Sequence, residues 1–305
     1  MNKPRKKVLY IVGAQNSGST MLDTLLSGAD SSYGLGEVGR IHAISSTALC
    51  NCGKSPSSCA PCGALVEAID SAGLTEKLTT IFPRSLKEKS LIRHLSSGSA
   101  CKEYAAISDL IIDSVANSTS SGLLIDSSKN VSRAIALARA SQHEIFFLHF
   151  VRDGRGYINS RNSPSRLKRL NNKPAFVSLI WKWIMKNLLA TLFLQPYARK
   201  FMIMRYEDFI NRPQDCIRKI EKFIDFNLSS VCQALESGAA VERQQIFETP
   251  RAISYSSVKI EPRRLESQKF QLIRNLTYLI AGGFLGALWG YGVSQDYIED
   301  QKHVF

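Results

Sequence analysis

Short apolar runs, separated by stretches of helical periodicity, organise much of the chain. Val8–Val12, Leu123–Ile125, Ile145–Val151 and Phe201–Met204 are runs of this kind. Runs too short for helices, and apolar at consecutive positions, predict strands buried on both faces. Between them, Ile107, Leu110, Ile111 and Val115 fall on one helical face, as do Val131, Ile135 and Ala138. Phe176–Phe193 reads as one long, strongly apolar helix. Strands alternating with helices predict an α/β three-layer sandwich with a central parallel sheet. Right-handed crossovers then gather all strand C-termini on one edge, where ligands bind. No linker or internal repeat interrupts the pattern, so residues 1–305 are expected to form a single domain.

Two segments depart from this pattern. Residues 50–63 form a Cys/Gly/Pro/Ser-rich insertion containing Cys50, Cys52, Cys59 and Cys62. Four thiolates so close could hold a structural zinc; free cysteines near the acceptor entrance are the alternative. Asn275–Ser294 carries no charge over a length able to span a bilayer. Its five glycines and its aromatic residues favour a buried C-terminal helix within 270–295, ending at the Gly-rich WGYG. Membrane association through 275–294 is the less favoured reading.

The chain has 305 residues, enough for an ordinary core. Lys and Arg number 39 against 26 Asp and Glu, a net charge of +13. Such a surface attracts anions. No nucleic-acid module accompanies it, so nucleic acid is not expected as a partner. The apolar part of MNKPRKKVLYIVG is too short for a secretory signal, and a cytoplasmic location is expected.

The first strand runs into YIVGAQNSGST, residues 10–20. Gly13 permits a tight turn, and Gly18 lets backbone N–H groups approach an anion. The helix starting near Ser19 points its positive end there. Ser17, Ser19 and Thr20 add hydroxyl donors. A magnesium-dependent nucleotide hydrolase or kinase would want a lysine where Ser19 stands, and an acid such as Asp126 for the metal.

A second anion site is readable at IFFLHFVRDGRGYINS. There a buried strand ends at Arg152, and Ser160 follows eight residues later in a helix. Guanidinium grips phosphate oxygens through a planar fork.

With these two segments, the chain resembles the sulfotransferases that use 3′-phosphoadenosine-5′-phosphosulfate (PAPS). QNSGSTML resembles their 5′-phosphosulfate loop, and Arg152 with Ser160 resembles their 3′-phosphate site. The resemblance spans roughly residues 8–225. It implies a P-loop-type fold and transfer of a sulfuryl group from PAPS to a hydroxyl or amine. Asn16, Ser17, Gly18, Ser19 and Thr20 are then the 5′ contacts. Glu37, in SSYGLGEVGR, is then the base, an isolated carboxylate that takes the acceptor proton. LLIDSSKN matches a further family segment and puts Lys129 beside the transferring group; an N-capping cluster is the plain alternative. IMRYEDF is read as structural.

Two departures accompany the match. Asn16 stands where the family usually has Arg or Lys. The late Gly-Asn-x-x-Arg segment is missing, with Arg251 of IFETPRAISYSSVKI as its candidate arginine. A nucleotide-binding protein without catalysis, and a kinase or hydrolase with a degenerate phosphate loop, remain alternatives. The expected partner is a hydroxylated acceptor: carbohydrate, lipid or peptide. No catalytic metal is expected.

Overall fold

A computed structural model describes residues 4–43, 54–55, 58–78, 90–161, 175–242, 244–247, 257–258, 266–269, 272–292 and 296–299. Six strands form a parallel sheet: β1 (Lys7–Val12), β2 (Ser32–Gly36), β3 (Leu123–Lys129), β4 (Glu144–Val151), β5 (Phe201–Arg205) and β7 (Gln245–Phe247). Their order is β5-β4-β1-β3-β2-β7. Every neighbouring pair is parallel. Two short antiparallel pairs lie outside it: β6 (Val241–Glu242) with β8 (Ser257–Val258), and β9 (Glu266–Lys269) with β10 (Asp296–Glu299).

Strand β1 explains the layering. Val8 to Val12 are all fully buried, and side chains alternate between faces along a strand. Val8, Tyr10 and Val12 pack on one side with Leu124, Phe147, Ile111 and Ile135. That side is covered by α2 (Ala60–Ser71), α4 (Gly98–Thr119) and α5 (Val131–Ala140). Leu9 and Ile11 pack on the other side with Ile125 and Leu148. There α1 (Ser19–Ser27), α8 (Tyr206–Asn211), α9 (Pro213–Ile224) and α10 (Ser229–Ser237) form the cover. The expected three layers are present, with a short helix α3 (Ser90–Ser96) beside α4 and α5.

Topology fixes where the strand ends meet. From β1 the chain goes out to β2 and returns to place β3 between them. It then crosses to the other flank of β1 with β4 and β5. The reversal next to β1 opens a crevice at the C-terminal edge, the general ligand position of such sheets.

A third apolar cluster closes over this edge beside β4. It joins α6 (Gly154–Arg161) and α7 (Phe176–Leu194) to the C-terminal segment through Tyr157, Trp183, Tyr278, Trp289 and Tyr291.

The structure corrects the expectation for 270–295. There is no continuous helix. α11 (Leu272–Ile280) is followed by a 3-10 turn, Gly283–Trp289, and the two axes meet at 75°. Gly282, at φ 106°, makes the break in left-handed backbone that a β-carbon would strain. The bend is what brings Tyr278 and Trp289 together against Trp183.

Two strands escaped the sequence pattern. β2 has the composition SYGLG, whose glycines read as a turn, and β7 is a three-residue edge strand.

The cysteine cluster is only partly described. Cys59 and Cys62 sit at the start of α2 and are buried in the core with Leu65 and Ile69. Cys50 and Cys52 lie outside the described residues, as does Arg251. Among the described residues, no group of three or more metal-binding side chains comes together. Nothing in the described insertion therefore supports zinc.

Candidate active site

Four strand ends deliver four functional groups to one edge. The loop after β1 lies between Arg152, which follows β4, and Lys129, which ends β3. Glu37, which follows β2, lies beyond Lys129.

The loop is built by close packing. A β-carbon on Gly13 would stand 2.7 Å from the carbonyl oxygen of Phe150. A β-carbon on Gly18 would stand 2.5 Å from Tyr206 Cε2. Gly18 also has φ 86° and is the N-cap of α1, with no side chain capping that helix. The first amides of α1 therefore lack a side-chain acceptor and carry the positive end of the helix dipole. Asn16 has φ 66°, in the left-handed region that Asn enters more readily than other side chains.

Arg152 is 7% exposed and spans the gap from β4 to this loop. Its Nη1 donates to the Asn16 carbonyl at 3.4 Å. Its guanidinium carbon lies 4.6 Å over the Tyr206 ring. Its own carbonyl accepts from Trp183 Nε1 at 2.9 Å.

Behind it, the Asp153 amide donates to Glu207 Oε1 at 3.0 Å, and Tyr291 Oη donates toward Glu207 Oε2 at 2.7 Å. Burial pushes the Glu207 carboxyl up, against the hydrogen bond from Tyr291. Asp153 is held by Arg155 through contacts of 3.0 and 2.7 Å. Arg205 donates to the Gly290 carbonyl at 2.9 Å and lies over the Tyr291 ring. The segment Arg205–Glu207 thus does more than join a strand to a helix: it supports the Arg152 turn and fastens the C-terminal segment. Tyr206, Trp183 and Tyr291 were not legible as site residues, because their roles depend on contacts far along the chain.

Among the described residues, four buried polar atoms along this edge have no hydrogen-bonding partner: Asn16 Nδ2, Ser17 Oγ, Ser128 Oγ and Arg152 Nε. Each can donate a hydrogen bond. Unsatisfied buried donors are costly, and a cluster of them beside an uncapped helix start is suited to an anion.

On the other flank, Lys129 Nζ lies 2.7 Å from Glu37 Oε1. Lys129 has φ 63°, uncommon for a lysine. Glu37 is therefore not the isolated carboxylate expected from the sequence. The cap of α5 is Asn130, whose side chain accepts from the Arg133 amide at 2.8 Å. Capping therefore does not occupy Lys129.

Asp126 points away from the edge, into the protein. Arg133 Nε and Nη2 donate to its Oδ2 at 3.0 and 2.7 Å, and both side chains are fully buried. Burial pulls the Arg133 pKa down, and the Asp126 carboxylate more than reverses this, leaving it raised. The acid at this strand end already has a counter-ion.

The profile of the sulfotransferase family matches residues 9–230. The chain belongs to the sulfotransferase family. No curated protein gives a significant sequence match. Among solved structures, the sulfotransferase domain of the curacin biosynthetic pathway is 16% identical, covering 85% of this chain and 89% of its own, with a TM-score of 0.51. The sulfotransferase domain of the Synechococcus PCC 7002 olefin synthase is 16% identical over 86% of each chain, with a TM-score of 0.49. Sulfotransferase STF9 from Mycobacterium avium is 14% identical over 76% of this chain and 67% of its own, with a TM-score of 0.48. The first of these supports a common fold.

Within this sulfotransferase fold, the residues named from sequence separate into two groups. The Asn16–Thr20 loop and Arg152 meet across the β1–β4 junction through the Asn16 carbonyl. Lys129 and Glu37 meet each other on the β3–β2 side. Ser160 is half-buried in the last turn of α6, the helix that Arg152 introduces.

Proposed function

We propose that this sulfotransferase moves the sulfuryl group of PAPS onto a hydroxyl of its acceptor. The observation that carries this reading is the set of four buried donors, without a partner among the described residues, beside the uncapped start of α1. When bound, PAPS supplies an activated sulfuryl group on a phosphate leaving group. The α1 amides, Ser17 Oγ and Asn16 Nδ2 hold the 5′ end, and Ser19 and Thr20 stand in the first turn of the same helix. Arg152, stacked on Tyr206, and Ser160 hold the 3′-phosphate. Glu37 takes the proton from the acceptor hydroxyl. Lys129, its ion-pair partner, keeps a cation on that side of the site, where Asn16 brings none. Fixed donors of this type stabilise charge spread over the transferring group.

The magnesium-dependent alternative is weakened by Asp126, whose carboxylate is taken up by Arg133. A nucleotide-binding role without catalysis is the second reading, and the neutral Asn16 in the loop is what favours it.

Calorimetry with adenosine 3′,5′-bisphosphate and with ATP tests the donor site. The bisphosphate is expected to bind more tightly, and Arg152→Ala to weaken it by about 10–100-fold, the loss of a charge-assisted contact. Unchanged affinity in Arg152→Ala, or preference for ATP, overturns the assignment. Labelled PAPS offered to hydroxylated acceptors then separates the two readings: binding with no transfer to any of them favours the second.

A further inference from the structure

The face opposite the third core cluster is apolar and open to solvent. On α7, Val177, Trp181, Met185 and Leu192 are exposed, close to one i, i+4 line along the helix. On the bent C-terminal pair, Ile273 is 79% exposed, Ile280 84%, Phe284 55% and Leu288 58%, with Leu276 beside them. The two elements pack side by side: Arg274 lies over the Phe176 ring, and Trp183 meets both Tyr278 and Trp289. Isolated exposed apolar residues are ordinary, but nine of them on two elements packed side by side mark an interaction surface.

Charge indicates what covers it. Phe176–Leu194 and Leu272–Gly292 contain no Asp or Glu; their charges are Lys182, Lys186 and Arg274. Face-to-face packing of two copies would set Lys182 and Arg274 of one copy against the same cations of the other. An anionic lipid surface supplies both the apolar layer and the opposite charge.

The geometry of these two elements suits lying on a bilayer rather than crossing it. α11 has nine residues, about 14 Å of helix against a hydrocarbon core of about 30 Å. α7 is long and apolar enough to cross, but its other face is committed to the core. Trp183 Nε1 donates to the Arg152 carbonyl, and Asn187 Oδ1 lies 3.1 Å from His149 Nε2. Withdrawing α7 would break both.

We propose that the outer face of α7 and the bent Leu272–Trp289 pair docks on an anionic membrane surface, with Trp181 and the exposed aliphatic side chains in the interfacial layer and Lys182 and Arg274 at the headgroups. Through Trp183 this face shares a wall with Arg152, so docking sets the candidate active site near the lipid. The proposal does not depend on PAPS being the donor.

The test mixes the full chain with vesicles of phosphatidylcholine plus phosphatidylglycerol, and with pure phosphatidylcholine. Trp183 and Trp289 are buried while Trp181 is exposed, so a blue shift of intrinsic fluorescence, and its quenching by brominated lipid, reports Trp181. Binding is expected on the anionic vesicles, weaker with added salt. The double substitution Ile280→Glu and Phe284→Glu is expected to lower partitioning by at least about ten-fold with an unchanged melting temperature. No binding, binding without Trp181 quenching, or binding untouched by the double substitution overturns the proposal. So does a dimer in sedimentation equilibrium that the same substitution dissociates, because a second copy then covers this face.

Discussion

Lys129 Nζ and Glu37 Oε1 meet at 2.7 Å although 92 residues separate them. The contact exists because β3 returns to pair with β2 in parallel, bringing the ends of both strands to one edge. Glu37→Gln keeps size and a hydrogen-bond acceptor for Lys129 but removes proton affinity. Transfer is expected to fall by about 10²–10⁴-fold, while bisphosphate affinity stays within a few-fold. Turnover at saturating donor, with calorimetry in parallel, checks it. Full activity in this variant would remove Glu37 as the base.

The Asp126–Arg133 pair gives a prediction about stability. Arg133→Met leaves a fully buried carboxylate without its counter-ion and empties the donors to Tyr104 and Ser108. Loss of about 3–5 kcal/mol is expected in urea unfolding. Adding Asp126→Asn should recover part of it. Additive losses would show that the two side chains do not act as a pair.

Gly18 couples the loop to Arg152. Its φ of 86° costs an ordinary residue about 1–2 kcal/mol. The new methyl would also displace the Tyr206 ring on which Arg152 rests. Gly18→Ala is expected to lower the melting temperature and abolish measurable bisphosphate binding. Thermal unfolding and calorimetry read the two effects separately, and retained binding would contradict the close approach described.

His149 makes stability depend on acid. It is fully buried, and burial lowers its pKa from 6.5 to about 4, against the hydrogen bond to Asn187. Asn187 Nδ2 donates to the Trp183 carbonyl, so its Oδ1 faces the ring and the proton sits on Nε2. Between these two values the unfolded chain binds a proton that the folded chain refuses. Stability from this group is therefore complete above pH 6.5 and falls by about 3 kcal/mol as the pH drops toward 4. His149→Gln should show a shallower acid slope than the parent in unfolding across that range. An identical slope would place the acid sensitivity elsewhere.

The strands that were legible are those buried on both faces. β1, β3, β4 and β5 are runs of large apolar side chains, and burial on two sides leaves that mark in composition. β2 left none, because Gly34 packs within van der Waals reach of Gln245 and Asp23, where a larger residue would clash. With β2 unseen, nothing in the sequence placed Lys129 beside Glu37. Similarly, 272–292 reads as one apolar stretch, and only its packing against Trp183 reveals a 75° bend with one face turned out.

By itself, the sequence determined the α/β alternation, the glycine-led loop at 13–20 and the strand-end arginine, since each is written in neighbouring residues. Tertiary structure alone decided that Arg152 rests on Tyr206, that Lys129 pairs with Glu37, that Asp126 belongs to Arg133, and which apolar residues face outward. Strand order and side-chain direction set those distances, and no local pattern of residues encodes contacts made across the sheet.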